Sequence, residues 1–449
     1  MANRNGSASR KRFHIVLVPG FGGFDALGKI EYYAGVTHVF QRWSRGEPAV
    51  LHYFDNLPTA AVVTRASRLQ SYLAKRLARG EILEDDDIIL AGHSTGGLDI
   101  RQLVADLHDG DKPEVHVEGG IVVNCADILK RVSRVVFLSV PHWGTNIADW
   151  VHSHACLRKA VVNELRAAVA GSQVYPLDAL EDRIAGAAAS LTGADLLRAM
   201  QDTLTEANQR YGQPGPQRTA EAHEAASELA LYFRDMASDF HAIEDLTSRA
   251  PDSGPRSPAH FNGEQREEEL ARWNEAHIDT LSYATVGKSP FRFVAGCPAP
   301  VWDLANPCTY PEIAKDPRLS ADTDVSYRAC YRACAGGPFR RPAGGGAVTR
   351  RLNGAPQGSL ELWDNDGIVN TLSMLWPTGE NVLVAGDHLD IVGHYKLVKL
   401  GRKRAECGQG PSRVYRSYDV LKSVPRFSDE LFERIWTGIF NFSVGKKGQ

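Results

Sequence analysis

Apolar residues in this chain gather into short unbroken runs, separated by turn residues and by stretches with helical spacing. Phe13-His-Ile-Val-Leu-Val18, Ile88-Ile-Leu-Ala91, Arg134-Val-Val-Phe-Leu-Ser-Val140, Leu281-Ser-Tyr-Ala-Thr-Val286 and Asn381-Val-Leu-Val-Ala385 read as strands. Runs that are apolar at nearly every position belong to parallel sheets buried on both faces. After a turn signal at Asn56-Leu57-Pro58, the segment Thr59 to Arg79 places Val62, Ala66, Leu69, Leu73 and Leu77 at helical spacing and stops at Gly80. Leu98, Leu103, Val104 and Leu107 suit one face of a second helix, and an amphipathic helix is expected from Ser428 to Phe440. This alternation predicts an α/β fold, a mostly parallel sheet with helices on both faces.

Two stretches interrupt the pattern. Residues 146–248 are rich in Ala, Leu, Glu and Arg, with turns near Gly171, Tyr175-Pro176 and Gly212 to Pro216, and read as an inserted helical cap. Within it, Ala222 to Ile243 presents Ala226, Leu229, Ala230, Phe233, Met236, Ala237 and Phe240 at helical spacing, a face suited to a core or to an acyl-binding cleft. Residues 296–358 form an irregular Pro/Gly-rich insertion holding Cys297, Cys308, Cys330 and Cys334. A loop of that length inside a compact domain is expected to be functional or stapled. Two disulfides, free thiols or four thiolates around zinc are the alternatives, although paired Cys-x-x-Cys spacing is lacking. The expected organisation is a disordered segment 1–12, a first core part 13–145, the cap 146–248, and a second core part 249–449 carrying the insertion.

Composition narrows the function classes. With 449 residues, 43% hydrophobic and 23% charged, the chain reads as globular and long enough for one large α/β domain with insertions. Its net charge of -3 supplies no broad basic field, so nucleic acid is not an expected partner. No apolar run approaches the roughly 20 residues that span a bilayer. Met1 to Arg12 is polar and basic without the apolar core of a signal peptide. The expected location is therefore cytoplasmic, or secreted if a signal has been removed.

Candidate chemistry centres on Gly92-His-Ser-Thr-Gly96, set between an apolar strand and a helix. That context is a nucleophile elbow, in which Ser94 occupies a sharp strand-to-helix turn and the flanking glycines let backbones approach closely. A serine hydroxyl becomes a nucleophile only when a base takes its proton and an acid orients that base. On this architecture the expected chain order is Ser, then Asp or Glu, then His. His388, following the strand Asn381 to Ala385 after Gly386-Asp387, is the favoured base, and His394 reads as an ordinary loop or helix histidine. For the acid, Trp363-Asp-Asn-Asp-Gly-Ile-Val-Asn370 offers Asp366, with Asp364 as its neighbour and competitor.

Several motifs in order, Gly20-Phe-Gly-Gly-Phe-Asp25 with Glu31-Tyr-Tyr33 and Gly35, Gly92-His-Ser-Thr-Gly-Gly97, Pro141-His-Trp-Gly144, Asn365-Asp-Gly-Ile-Val-Asn-Thr-Leu-Ser-Met374 and Asp387-His-Leu-Asp390, span nearly the whole chain. Together they resemble the bacterial true lipases of the α/β-hydrolase fold, the group containing the thermoalkalophilic lipases. Asp239-Phe-His-Ala-Ile-Glu-Asp-Leu-Thr247 also resembles the stretch after that family's helical lid. The resemblance implies Ser94 as nucleophile, Asp366 as orienting acid, His388 as general base, and the backbone N–H groups of Phe21 and Thr95 as an oxyanion hole. It implies an acyl ester or lipid substrate, no required cofactor, and a structural calcium near Asp390. Pro19-Gly20 stands where the family usually has His-Gly. An amidase, transacylase or polyester depolymerase with the same triad, and a non-catalytic hydrolase-fold binding protein, are the alternative functions.

Overall fold

The computed structural model describes residues 11–23, 26–27, 30–109, 113–153, 239, 241–250, 257–287, 344–395 and 427–446. Among these residues seven strands build one sheet: β1 (Phe13–Val18), β2 (Ala49–Tyr53), β3 (Asp87–His93), β4 (Val132–Leu138), β5 (Asp279–Val286), β6 (Arg350–Leu352) and β7 (Glu380–Ala385). Their order is β6-β7-β5-β4-β3-β1-β2, and every pairing is parallel. Among the described residues the helices α1 (Val36–Trp43), α2 (Val62–Ala78), α3 (Thr95–Asp109), α4 (Gly263–Glu275) and α5 (Asp429–Ser443) cover it. This is the expected parallel sheet with helices on both faces.

Alternation along the strands explains why both faces need cover. Ile15 and Leu17, Ile89 and Ala91, and Val136 and Leu138 point to one core, where α1 adds Val36 and Val39 and α5 adds Phe432, Ile435, Trp436, Ile439 and Phe440. Val16 and Val18, Ile88 and Leu90, and Val135 and Phe137 point to the other, which α2, α3 and α4 complete with Leu69, Leu103 and Trp273. Successive strand side chains project to opposite faces, so a run apolar at every position must be buried on both. Each Leu, Ile, Val or Phe removed from water in this way contributes about 1.5–3 kcal/mol.

Element ends depart from the sequence expectations for identifiable reasons. The strand expected at 88–91 extends to Asp87–His93 because both neighbours pair along it, Phe13↔Asp87 through Val18↔Gly92 on one side and Ile88↔Val132 through His93↔Leu138 on the other. The one expected at 134–140 ends at Leu138, where Ser139 turns to φ 50. Helix α2 begins at Val62, whose N–H donates to Asp245 Oδ2 at 2.7 Å, so a carboxylate distant in sequence caps it. Ser428 caps α5 by accepting the Leu431 N–H, and that helix runs three residues past the expected Phe440.

Part of the expected disordered leader is fixed. Arg12 donates to Asp86 from both its backbone N–H and its guanidinium, so order begins ahead of β1. Within the stretch expected to be irregular, Arg350–Leu352 forms an edge strand. Of the expected cap, the helices Asn146–Ser153 and Ala242–Asp245 are described. Residues 154–238 and 240, with Cys297, Cys308, Cys330 and Cys334, lie outside the described residues. Among the described residues no helix is long and apolar enough to cross a membrane.

Candidate active site

Parallel strands bring their carboxyl ends to one edge of the sheet, where ligand sites of open α/β sheets form. Loops after β1, β3, β4, β6 and β7 meet there, beside the end of β5. At the end of β3, Ser94 has φ 53, a left-handed conformation that non-glycine residues rarely adopt and that costs on the order of 1–3 kcal/mol unless the surroundings impose it. They do impose it. The Ser94 N–H donates to Leu138 O at 2.9 Å, tying the turn to β4, and α3 begins at the next residue. Gly96 fits because a Cβ there would stand 2.4 Å from Val18 O.

The loop after β1 lies against this turn. A Cβ on Gly20 would be 2.7 Å from Ser94 Cβ, so only glycine lets the two backbones come this close. Beneath the loop, the fully buried Arg65 pairs with Asp99, and its Nη2 donates to Pro19 O at 2.7 Å and Gly20 O at 3.2 Å. Gly23 N–H donates to the same Gly20 carbonyl at 2.9 Å. In a trans peptide the C=O and the following N–H point in opposite directions. Clamping Gly20 O therefore also fixes the direction of the Phe21 N–H. Burial pushes the Asp99 carboxyl up to about 6 against the pull of Arg65, which leaves an ionised pair at neutral pH.

Asp366 and His388 meet. The His388 Nδ1–H donates to Asp366 Oδ2 at 2.7 Å, and the His388 backbone N–H donates to Asp366 O at 3.1 Å. Thr285 Oγ1–H donates to the same Oδ2 at 2.6 Å, while the N–H groups of Ile368 and Val369 hold Oδ1 at 3.0 and 2.8 Å. Both side chains are buried. His388 is in turn joined to the serine turn, because the His93 Nε2–H donates to His388 O at 2.9 Å and the two rings lie 4.7 Å apart.

The competitors sit elsewhere. Asp364 turns its carboxylate to the Glu361 N–H at 2.8 Å, within its own turn, and burial pushes its pKa up. His394 Nε2–H donates to Tyr32 O at 2.9 Å, and burial lowers its pKa to about 4. Thr95 is fully buried, and its hydroxyl has no hydrogen-bond partner among the described residues. For calcium, Asp390 Oδ2 accepts the Asp387 N–H at 2.9 Å, and no cluster of three or more His, Cys, Asp or Glu that could hold a metal occurs among the described residues. Calcium requires six to eight oxygen ligands, of which Asp390 would supply one carboxylate. Sequence reasoning gave no role to Arg65, Asp99, Tyr32, His93 or Thr285. Tyr32 and His93 lie inside the motifs that carry the resemblance, and Thr285 inside a predicted strand.

Buried neutral histidines set the acid stability. Burial lowers the pKa of His14, of His52 to about 3 and of His394 to about 4, and holds His93 and His142 well below the ordinary value. In the unfolded chain these groups take a proton near pH 6.5, so unfolding takes up protons below that pH and stability falls. Asp99 and Asp245, both raised to about 6 by burial, act with the opposite sign and offset part of the loss below pH 6. Since each unopposed group contributes about 1.4 kcal/mol per pH unit, the expected result is a melting temperature that drops steeply from pH 6.5 to 4.5. A flat thermal-melt profile across that range would contradict neutral burial of these histidines.

No protein-family model matches the chain, and no curated protein matches it in sequence. Among solved structures it is similar to lipase 1 from Pelosinus fermentans, with 16% identity and a TM-score of 0.42 over 85% of this chain and 93% of that one. It is similar to EstA from Clostridium botulinum at 16% identity and a TM-score of 0.44, over 85% and 83% of the two chains. With Staphylococcus hyicus lipase the identity is 13% and the TM-score 0.39, over 99% of this chain and 98% of that one.

Proposed function

We propose that the protein hydrolyses carboxylic esters through an acyl-enzyme on Ser94. One observation carries the reading: Ser94 is held at φ 53 in a strand-to-helix turn, at the sheet edge where the Asp366–His388 pair is also placed. The pair with Asp366 keeps the proton on His388 Nδ1, which leaves the Nε2 lone pair to take the Ser94 proton as Oγ attacks the ester carbonyl. The carbonyl oxygen gains negative charge in the tetrahedral intermediate, and the N–H groups of Phe21 and Thr95 are assigned to stabilise it. Collapse expels the alcohol, protonated by the His388 imidazolium. His388 then removes a proton from water, which attacks the acyl group and releases the acid.

Nothing in this sequence of steps requires a metal or a redox group. A structural calcium is carried by the sequence resemblance alone. The substrate is assigned as an acyl ester, and the apolar face of the expected cap supports an acyl chain as the recognised part. The test is chain-length profiling with p-nitrophenyl esters and then an emulsified triglyceride, beside a covalent serine probe. Turnover with probe labelling at Ser94 is expected. Absence of both in folded protein would favour a binding protein built on this fold.

A further inference from the structure

One buried chain of hydrogen bonds joins the three loops that the proposed chemistry uses, and its direction can be read from one end. His388 O is an acceptor only, so His93 Nε2, 2.9 Å away, carries the ring proton. The Nδ1 of the neutral ring is then the acceptor, and the Tyr32 hydroxyl at 2.6 Å donates to it. The Tyr32 oxygen in turn accepts the Gly20 N–H at 2.9 Å. His394 Nε2–H fixes the Tyr32 carbonyl, adding a second tie between the segment after β7 and Tyr32. Tyr32, His93 and His388 are all buried, so water competes little for these bonds.

We propose that Tyr32 and His93 are positioning residues that set the register between the Gly20-Phe21 loop, Ser94 and His388 before substrate binds. This rests on the reading of Ser94, Asp366 and His388 as an ester-hydrolysing triad. His93 immediately precedes Ser94 in the chain, so any rotation of its ring is felt at the serine turn. Its two nitrogens reach in opposite directions, one toward the loop of the general base and the other, through Tyr32, toward the N–H of Gly20, the residue before Phe21. Burial holds His93 well below and Tyr32 above their ordinary pKa values, so both stay neutral through the working pH range and serve as a fixed strut. Arg65 clamps Gly20 from its carbonyl and Tyr32 holds it from its N–H, which leaves this residue two separate anchors.

The test is Tyr32→Phe, which keeps the ring packed on Tyr33 and His93 and removes only the hydroxyl. A misplacement near 1 Å, or a lost oxyanion donor, costs about a hundredfold, and a bond one residue removed from that donor should lower kcat by about tenfold to hundredfold when lost. KM for a short p-nitrophenyl ester and the melting temperature should change little. His93→Gln, whose amide can both donate to His388 O and accept from Tyr32, should retain more kcat than His93→Leu. NMR of selectively labelled histidines should show His93 neutral with its proton on Nε2 in the wild type, and Tyr32→Phe should shift the Nδ1 resonance by removing the hydroxyl that donates to it. Unchanged kcat in Tyr32→Phe, or a lowered melting temperature alone, would overturn the positioning role. A wild-type His93 protonated on Nδ1 would overturn the hydrogen-bond chain itself. If the wild type neither turns over esters nor labels with a serine probe, the ester-hydrolase reading fails, and the tautomer measurement still judges the chain separately.

Discussion

Replacing Ser94 with alanine is expected to lower kcat for ester hydrolysis on the order of a million-fold, the loss that follows removal of a triad nucleophile. The fold should survive. The contacts that impose the left-handed turn are made by the backbone, through the Ser94 N–H to Leu138 O, and by Gly96 passing under Val18 O, none of which involves the hydroxyl. Ser94→Ala protein should therefore melt within a few degrees of wild type and lose covalent labelling by a serine probe. Kinetics with a p-nitrophenyl ester, paired with a melting curve, decide the matter. Near-normal turnover in folded Ser94→Ala protein would remove the whole mechanism.

Asp366→Asn is expected to reduce kcat by roughly four orders of magnitude, because an amide facing Nδ1 favours the tautomer with its proton on Nε2. In that tautomer Nε2 offers no lone pair to Ser94. The substitution also disturbs an acceptor that holds Thr285, Ile368 and Val369 besides His388, so the variant needs a melting curve beside its kinetics. Asp364→Asn is the control. Its side chain accepts the Glu361 N–H within a turn, a bond that an asparagine oxygen can keep, and activity should stay close to wild type. A larger loss at Asp364 than at Asp366 would reverse the assignment.

His388 ranks over His394 because it follows the strand Asn381 to Ala385 directly, and Asp366 over Asp364 because it is the aspartate of the Asn365-Asp-Gly-Ile-Val match that carries the resemblance. The partners themselves were not legible. Asp364 and Asp366 lie two residues apart in one turn, and local pattern gives both the same standing. What separates them is that Asp366 Oδ2 meets His388 Nδ1 while Asp364 turns back on its own backbone. Arg65 was hidden for a different reason. Its helix shows the apolar face of Val62, Ala66, Leu69 and Leu73, and a charged residue within such a pattern reads as solvent-facing. It is buried because Asp99, on α3, neutralises it and the carbonyls of Pro19 and Gly20 take its remaining donors.

By itself the sequence determined the elements whose signal is local. Continuous apolar runs are strands buried on both faces, helical spacing places α2, α3 and α5, and the Gly92-His-Ser-Thr-Gly96 turn between strand and helix marks the elbow. Elements with little local signal went unread: β6 has one apolar residue in Arg350-Arg351-Leu352, and β2 alternates weakly at the sheet edge. Only the tertiary structure decided which loops meet at the carboxyl edge, that Tyr32 and His93 connect Gly20 to His388, and that Asp245 caps a helix 183 residues before it. Hydrophobic periodicity records which face of an element is buried and carries no information about which polar group waits on the other side. Those partners are set by strand order and register, which place side chains from distant parts of the chain within hydrogen-bond reach.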